Sequence, residues 1–362
     1  MEKGLIRRET CMKQVMVTGL LTVLCMMVLG ACGNTGGIKP NQEAQDMSSN
    51  SVQTESGETD TEKEAMRNFY TADTAISDVT DDPVFGDYGR LIFPVDTGYY
   101  SGNTLGELRL TWYNNIDPDE TVAITNYMRE HAASGDTIFY DIYTEEEKAA
   151  DPAKEDTGLF FFKGNPKERF AVCNAGGGFA YVGAMQDSFP HALELSKQGY
   201  NAFALIYRPG AQTACEDLSR AIQFIFEHAE ELQVNTDGYS LWGGSAGARM
   251  AAWVGSYGTA AFGAGDFPLP AAVIMQYTGL SEYSEGDPAT FVTVGENDGI
   301  ANWRVMKQRL DGMSALGIDT EFHSYPGLGH GFGLGTGTVA EGWVDEAIAF
   351  WQRQLSDGNP HE

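Results

Sequence analysis

Cysteine is scarce in this chain. There are five in 362 residues, widely scattered, with no Cys-x-x-Cys pair. That excludes a disulfide-stapled scaffold and the common zinc modules. Basic residues are also few: 23 Lys plus Arg against 51 Asp plus Glu, a formal charge of −28. So acidic a surface repels phosphate backbones, which argues against nucleic acid as a partner. The one long apolar run, Val15 to Val28, is shorter than the ~20 residues a membrane span needs. No internal repeat is visible, which excludes solenoids and propellers. What is present is globular. Hydrophobic residues make up 42%, aromatics 11% and charged residues 20%. That is enough to build a core and too apolar for disorder throughout. The length suits one large domain or two ordinary ones.

The N-terminus reads as an address. Lys3, Arg7, Arg8 and Lys13 precede the apolar run VMVTGLLTVLCMMV, and Leu29-Gly30-Ala31-Cys32 follows it. A basic start, a short apolar core and small residues make a signal peptide. The terminal Cys resembles a bacterial lipobox. The expectation is a signal over 1–31, a diacylglycerol on Cys32, and a lipoprotein exported to the outer face of a bacterial cytoplasmic membrane. From Gly33 to Ala65 the only large apolar residues are Ile38, Met47 and Val52. Such a stretch buries too little to offset its ordering entropy, so 32–80 is expected to be a lipid-anchored, flexible polar tether. Cys173 and Cys215 are expected to be unpaired structural thiols, with a bond between them as the alternative.

The remainder alternates. Strand-like runs are expected at Arg90–Phe93, Gly106–Trp112, Asp136–Tyr143 and Leu159–Phe162, with a helix over Asp119–Ala133. From there βα units repeat: strands at Phe170–Asn174, Ala202–Tyr207, Tyr239–Trp242, Ala271–Gln276, Phe291–Val294 and Thr320–Tyr325; helices at Met185–Lys197, Cys215–Glu231, Ala246–Tyr257, Trp303–Leu316 and Val339–Leu355. Continuously apolar strands such as AFALIY belong where helices cover both sheet faces. The fold class is therefore α/β, a doubly wound and mostly parallel sheet. Residues 158–358 form the catalytic core, and 81–157 hold N-terminal strands, a helix and the only material for a cap. The segment Tyr277–Thr290 is too short for a large lid insertion.

Three loop positions carry chemistry. Gly243-Gly244-Ser245-Ala246-Gly247 follows the strand YSLW and opens a helix. A Gly-x-Ser-x-Gly at a strand-to-helix turn is a nucleophile elbow: small neighbours permit the tight turn, and the helix N-terminus points at the serine. Asn174-Ala175-Gly176-Gly177-Gly178-Phe179 follows FAVC, two strands earlier. Acyl transfer needs donors aimed at an oxyanion, and glycines let a loop turn its amides inward. Gly177, Gly178 and the amide of Ala246 are the expected oxyanion hole. Of six histidines, His330 in GLGHGFG lies on the loop after the last strand and is the candidate base. Asp298, after Phe291–Val294, is the candidate acid, with Glu296 as the fallback. The order Ser245, Asp298, His330 is the chain order of an α/β-hydrolase triad.

From about residue 158 to 356 the chain resembles an α/β-hydrolase. GGSAGARMA, the GGG loop with its following YVG, and GLGHGFG are similar to the esterase and lipase branch. Tyr207-Arg208 after the next strand adds a likeness to bacterial carbohydrate esterases and acetyl-esterase-like proteins. One departure is Ala175, where the hormone-sensitive-lipase group has His and the PGGGY group has Pro. The resemblance implies a serine carboxylic-ester hydrolase acting through an acyl-enzyme, on short-chain, acetyl-type esters that include those of carbohydrates. It needs no metal or organic cofactor. Two alternatives use the same fold: a serine peptidase, or a non-catalytic surface binding protein. Arg208 and Arg249 are either anion contacts or members of structural ion pairs. Asp187, Phe189, Pro190 and His191 follow the oxyanion loop closely enough to be substrate contacts. Trp112, Tyr113, Tyr127 and Tyr140 are either sugar platforms or core aromatics.

Overall fold

A computed structural model describes residues 69–94, 99–110 and 116–356. The expected signal run, Cys32 and the expected tether up to residue 68 lie outside the described residues, as do Trp112, Tyr113 and His361. The chain divides into Met1–Phe69 and a compact unit, Tyr70–Glu362.

The compact unit opens with a two-stranded antiparallel pair, β1 (Tyr100–Ser101) and β2 (Arg109–Leu110). Its main body is an eight-stranded sheet. The strands are β3 (Phe139–Tyr140), β4 (Gly158–Phe162), β5 (Arg169–Asn174), β6 (Asn201–Ile206), β7 (Asn235–Gly244), β8 (Ala272–Gln276), β9 (Ala289–Gly295) and β10 (Thr320–Tyr325), in the order β10-β9-β8-β7-β5-β6-β4-β3. β5 to β10 run parallel, β4 is antiparallel to β6, and β3 is antiparallel to β4.

The central strands have no exposed face. Every residue of β4, β6 and β8 is buried, and both faces carry helices. On one face Trp343 of the C-terminal helix meets Trp242 of β7. On the other, Gly255 of the post-elbow helix lies against Val273 of β8, which is in register with Leu241. Alternate residues of one strand thus feed two apolar layers. The helices are α1 (Ile76–Thr80), α2 (Pro118–Ala133), α3 (Glu145–Ala150), α4 (Ser188–Lys197), α5 (Ala211–Glu227), α6 (Ala229–Leu232), α7 (Ala246–Tyr257), α8 (Trp303–Ala315) and α9 (Trp343–Ser356).

The expected core elements are present with ends shifted by a few residues. The N-terminal part differs. Arg90–Phe93 is not a strand: Pro83–Leu91 is 3-10 helical on either side of a break at Gly86, started by Pro83 and capped by Asp82. Leu91, Ile92 and Phe93 are all buried, so the apolar run reflects burial rather than strand periodicity. Gly106–Trp112 shortens to β2, because Leu105–Glu107 is a 3-10 turn. Asp136–Tyr143 shortens to β3 at the sheet edge. Residues 70–80, expected to be tether, are instead folded. Ile76 and Val79 of α1 are buried, and the Tyr70 amide donates to Asn126 Oδ1 of α2 at 2.8 Å. α3 is an addition to the expected elements. It has no buried residue to give a periodic signal, and a Thr144–Glu147 capping box starts it.

Candidate active site

The elbow is a backbone constraint before it is a site. Ser245 follows β7 and caps α7 with φ 51° and ψ −111°. Residues with a side chain rarely adopt that conformation. Its amide donates to the Gln276 carbonyl at the end of β8, at 3.0 Å. The turn has no room for neighbouring side chains. A Cβ on Gly243 would strike the Gly247 backbone, and one on Gly247 would strike the carbonyls of Asn174 and Ala175. The elbow and the end of β5 therefore share one space.

Asp298 and His330 arrive from the ends of β9 and β10. Ser245 Oγ lies 3.1 Å from His330 Nε2, and His330 Nδ1 lies 2.7 Å from Asp298 Oδ2. The amides of Ile300 and Ala301 both donate to Asp298 Oδ1 at 2.7 Å, which fixes the carboxylate. An ionised carboxylate only accepts, so these partners put the ring proton on Nδ1 and the lone pair of Nε2 towards Ser245. The Asp298 side chain has no exposure and that of His330 only 5%. The loop carrying His330 is clamped: Gln276 Nε2 and Trp343 Nε1 donate to the Gly333 carbonyl, and Gln186 Nε2 donates to that of Gly331. Glu296, the fallback acid, is exposed and accepts from Ser324 Oγ instead. His323 sits between Glu321 and Glu346, His228 stacks on Phe224, and His131 pairs with Asp136.

The glycine loop lies against the elbow. A Cβ on Gly176 would lie 3.0 Å from Ser245 Cβ. The Tyr207 hydroxyl donates to the Ala175 carbonyl at 2.7 Å, which gives the Tyr207-Arg208 pattern a physical reason. The Gly176 amide donates to Asp187 Oδ2 at 2.6 Å and is thereby occupied inside the protein. Gly177 has φ +129° and a Cβ there would strike the Tyr181 carbonyl. Among the described residues, none accepts from the amides of Gly177, Gly178 or Ala246. These are the three amides expected to form the oxyanion hole.

Other expected contacts turn out to be structural. Phe189, Pro190 and His191 start α4 and are buried. His191 is held neutral, its pKa pushed down to about 3 by burial, and its ring meets Trp343 edge-on. Asp187 is wholly buried beneath the glycine loop. Burial pushes its carboxyl up to about 6, against the opposing pull of the Tyr277 and Gly176 hydrogen bonds and of nearby His330. Arg208 is bound by Asp217 and Asp151. Arg249 makes no ion pair among the described residues and donates to Thr278 Oγ1 at 3.2 Å, so the expected structural ion pair is not seen there. Tyr127 stacks on Phe162, and Tyr140 packs between Phe161 and Phe224; both are half-buried against aromatic neighbours. Cys173 and Cys215 are free and buried, and burial raises both thiols. Sequence reasoning missed Tyr277. Its hydroxyl donates to Asp187 Oδ1, and its ring centre lies 4.9 Å from that of His330. Nothing local marks this tyrosine, because its partner Asp187 lies 90 residues away along the chain.

Comparison with known proteins supports the fold. Residues 163–267 match the family model described as BD-FAE. Among solved structures the chain is similar to the acetyl ester-xyloside bifunctional hydrolase from Caldicellulosiruptor lactoaceticus. The identity is 18% and the TM-score 0.52, over 59% of this chain and 95% of that one. The chain has the α/β-hydrolase fold. A propionate-bound thermophilic esterase from the Planctomycetes species Thermogutta terrifontis is also similar, at 20% identity and TM-score 0.48, over 57% of this chain and 92% of that one. So is a sugar hydrolase from Lactococcus lactis, at 21% identity and TM-score 0.47, over 56% of this chain and 95% of that one. No curated protein matches the chain.

Proposed function

We propose that the protein is a serine carboxylic-ester hydrolase, with Ser245 as nucleophile, His330 as general base and acid, and Asp298 as the residue that orients His330. The observation that carries this reading is the unbroken hydrogen-bond chain from Ser245 Oγ through both ring nitrogens of His330 to Asp298. As Ser245 attacks an ester carbonyl, His330 Nε2 takes the hydroxyl proton. Asp298 stabilises the imidazolium that forms. The amides of Ala246, Gly177 and Gly178 receive the oxyanion, aided by the N-terminus of α7. His330 then protonates the departing alcohol, and a water activated by His330 releases the acid from the acyl-enzyme.

The substrate reading is a short, acetyl-type ester, with carbohydrate esters included. It is supported by the sequence resemblance and by the short connection between β8 and β9, which holds no helix or strand of its own. The lipobox supports the further proposal that Cys32 carries a diacylglycerol and holds the protein on the outer face of a bacterial cytoplasmic membrane.

The test is hydrolysis of p-nitrophenyl acetate, butyrate and octanoate, with fluorophosphonate labelling alongside. Turnover of the short esters is expected, with kcat falling by roughly 10⁴–10⁶-fold in Ser245→Ala. Near-normal turnover in that variant, or no turnover and no labelling in the wild type, would overturn the reading.

A further inference from the structure

The triad leaves one acid at the site without a part. Asp187 is fully buried just before α4, and two donors from distant segments converge on it: the Gly176 amide on Oδ2 and the Tyr277 hydroxyl on Oδ1. It also touches the elbow. A Cβ on Gly244, the residue before the nucleophile, would lie 2.7 Å from the Asp187 carboxyl carbon. Asp187 thus occupies the space that a side chain at position 244 would take. The titratable groups facing it are Tyr277 from the loop after β8, His330 from the loop after β10, and Tyr207 just past β6. No lysine or arginine faces it among the described residues.

Keeping this carboxyl ionised in a buried place costs stability. Its folded pKa, about 6, lies above the ordinary 3.8. The folded state therefore binds more protons than the unfolded one between those values. Stability falls as pH rises through that window, and the ionised form weakens the fold above it. Its placement serves the site instead. Drawing the Gly176 amide inward fixes the Ala175–Gly176 peptide plane, one residue before Gly177.

We propose that Asp187 is the positioning residue of the oxyanion loop: its carboxylate anchors Gly176 and Tyr277 together beneath Ser245, so that the amides of Gly177 and Gly178 are left for the oxyanion. The proposal rests on the hydrolase reading. Ionisation matters because charge-assisted hydrogen bonds are about twice as strong as neutral ones. A neutral group in the same place holds the loop more loosely.

The experiment compares the wild type, Asp187→Asn and Asp187→Ala, measuring kcat and KM for p-nitrophenyl acetate from about pH 5 to about pH 9, with thermal unfolding at each pH. Asparagine keeps the shape and an acceptor but removes the charge. At the alkaline end its kcat is expected about tenfold below wild type, with KM little changed and thermal stability equal or higher. Below about pH 6 the wild-type group is itself protonated, so the ratio of the two kcat values should shrink towards one. Alanine removes both acceptors, and kcat should fall about 100-fold at every pH. An Asn variant with wild-type kcat throughout, a ratio that does not change with pH, or an effect confined to KM overturns the proposal while leaving the hydrolase reading intact. A wild type that neither turns over ester nor labels with fluorophosphonate overturns both.

Discussion

At the scale of single residues, the site is defined by which lone pairs are already committed. Asp298 Oδ1 is committed to two backbone amides, so only Oδ2 remains for His330. This makes the effect of Asp298→Asn specific. The amide oxygen of asparagine must stay with Ile300 and Ala301, which turns its NH2 towards His330 Nδ1. The imidazole is then driven to the other tautomer, with its proton on Nε2 facing Ser245, where it cannot act as a base. A fall in kcat of roughly 10³–10⁴-fold is expected, with the folding transition little changed. Glu296→Gln should alter kcat by less than about twofold. That side chain is exposed and bonds to Ser324, away from His330. Steady-state kinetics on the pair distinguishes the two acids; equal losses in both variants would mean that the loop is sensitive as a whole and Asp298 has no special place. The sequence already favours Asp298, since the distance beyond the strand end sets the choice. It has no means of placing Asp187, whose role depends on a tyrosine 90 residues later.

At the scale of elements, the glycine loop combines two kinds of constraint. Gly177 has a backbone that a Cβ would strain and a neighbour, the Tyr181 carbonyl, that a Cβ would strike. Gly178 has a positive φ of +62° but open space around it. Gly177→Ala should therefore displace the loop, lowering kcat about 10²–10³-fold, the loss expected when an oxyanion donor is misplaced. Gly178→Ala keeps its N–H and should carry only backbone strain, about 1–3 kcal/mol of stability and a smaller kinetic effect. Kinetics and thermal unfolding of the two variants separate these cases, and a Gly178 variant more impaired than the Gly177 one would contradict the geometry. Elements also explain what is legible in the sequence. The central strands are buried on both faces, so each appears as an unbroken apolar run between turn residues. The N-terminal elements offer no such pattern. Leu91 to Phe93 are as apolar as a strand and as buried, yet form the end of a 3-10 turn and the bend after it. α3 is helical because Thr144 and Glu147 cap it, with no apolar stripe at all. Burial can be read from hydrophobicity alone; the backbone conformation of a short run cannot.

At the scale of the whole molecule, the proposed address and the proposed chemistry lie on separate stretches of the chain. Every residue of the proposed machinery lies within Tyr70–Glu362, and that unit begins with its own anchors: the Tyr70 amide on Asn126 Oδ1, the Tyr70 hydroxyl on Asp82, and buried Ile76 and Val79. None of these contacts draws on the lipobox or the polar stretch. A chain beginning at Met66 is therefore expected to match the full-length protein in kcat, KM and unfolding temperature. One beginning at Asp81 should unfold more readily by several kcal/mol, because it removes Tyr70, Ile76 and Val79, and each buried large apolar side chain contributes about 1.5–3 kcal/mol. The same separation governs location. In full-length chains, Cys32→Ala should remove the proposed lipid and move the protein out of the membrane fraction, with esterase activity per molecule unchanged. Fractionation of cells producing both forms, with mass spectrometry of the N-terminal peptide, measures this directly. A Cys32 variant that partitions like the wild type would show that something other than a thioether-linked lipid holds the protein at the membrane, and loss of activity in the chain from Met66 would show that the polar stretch takes part in the site.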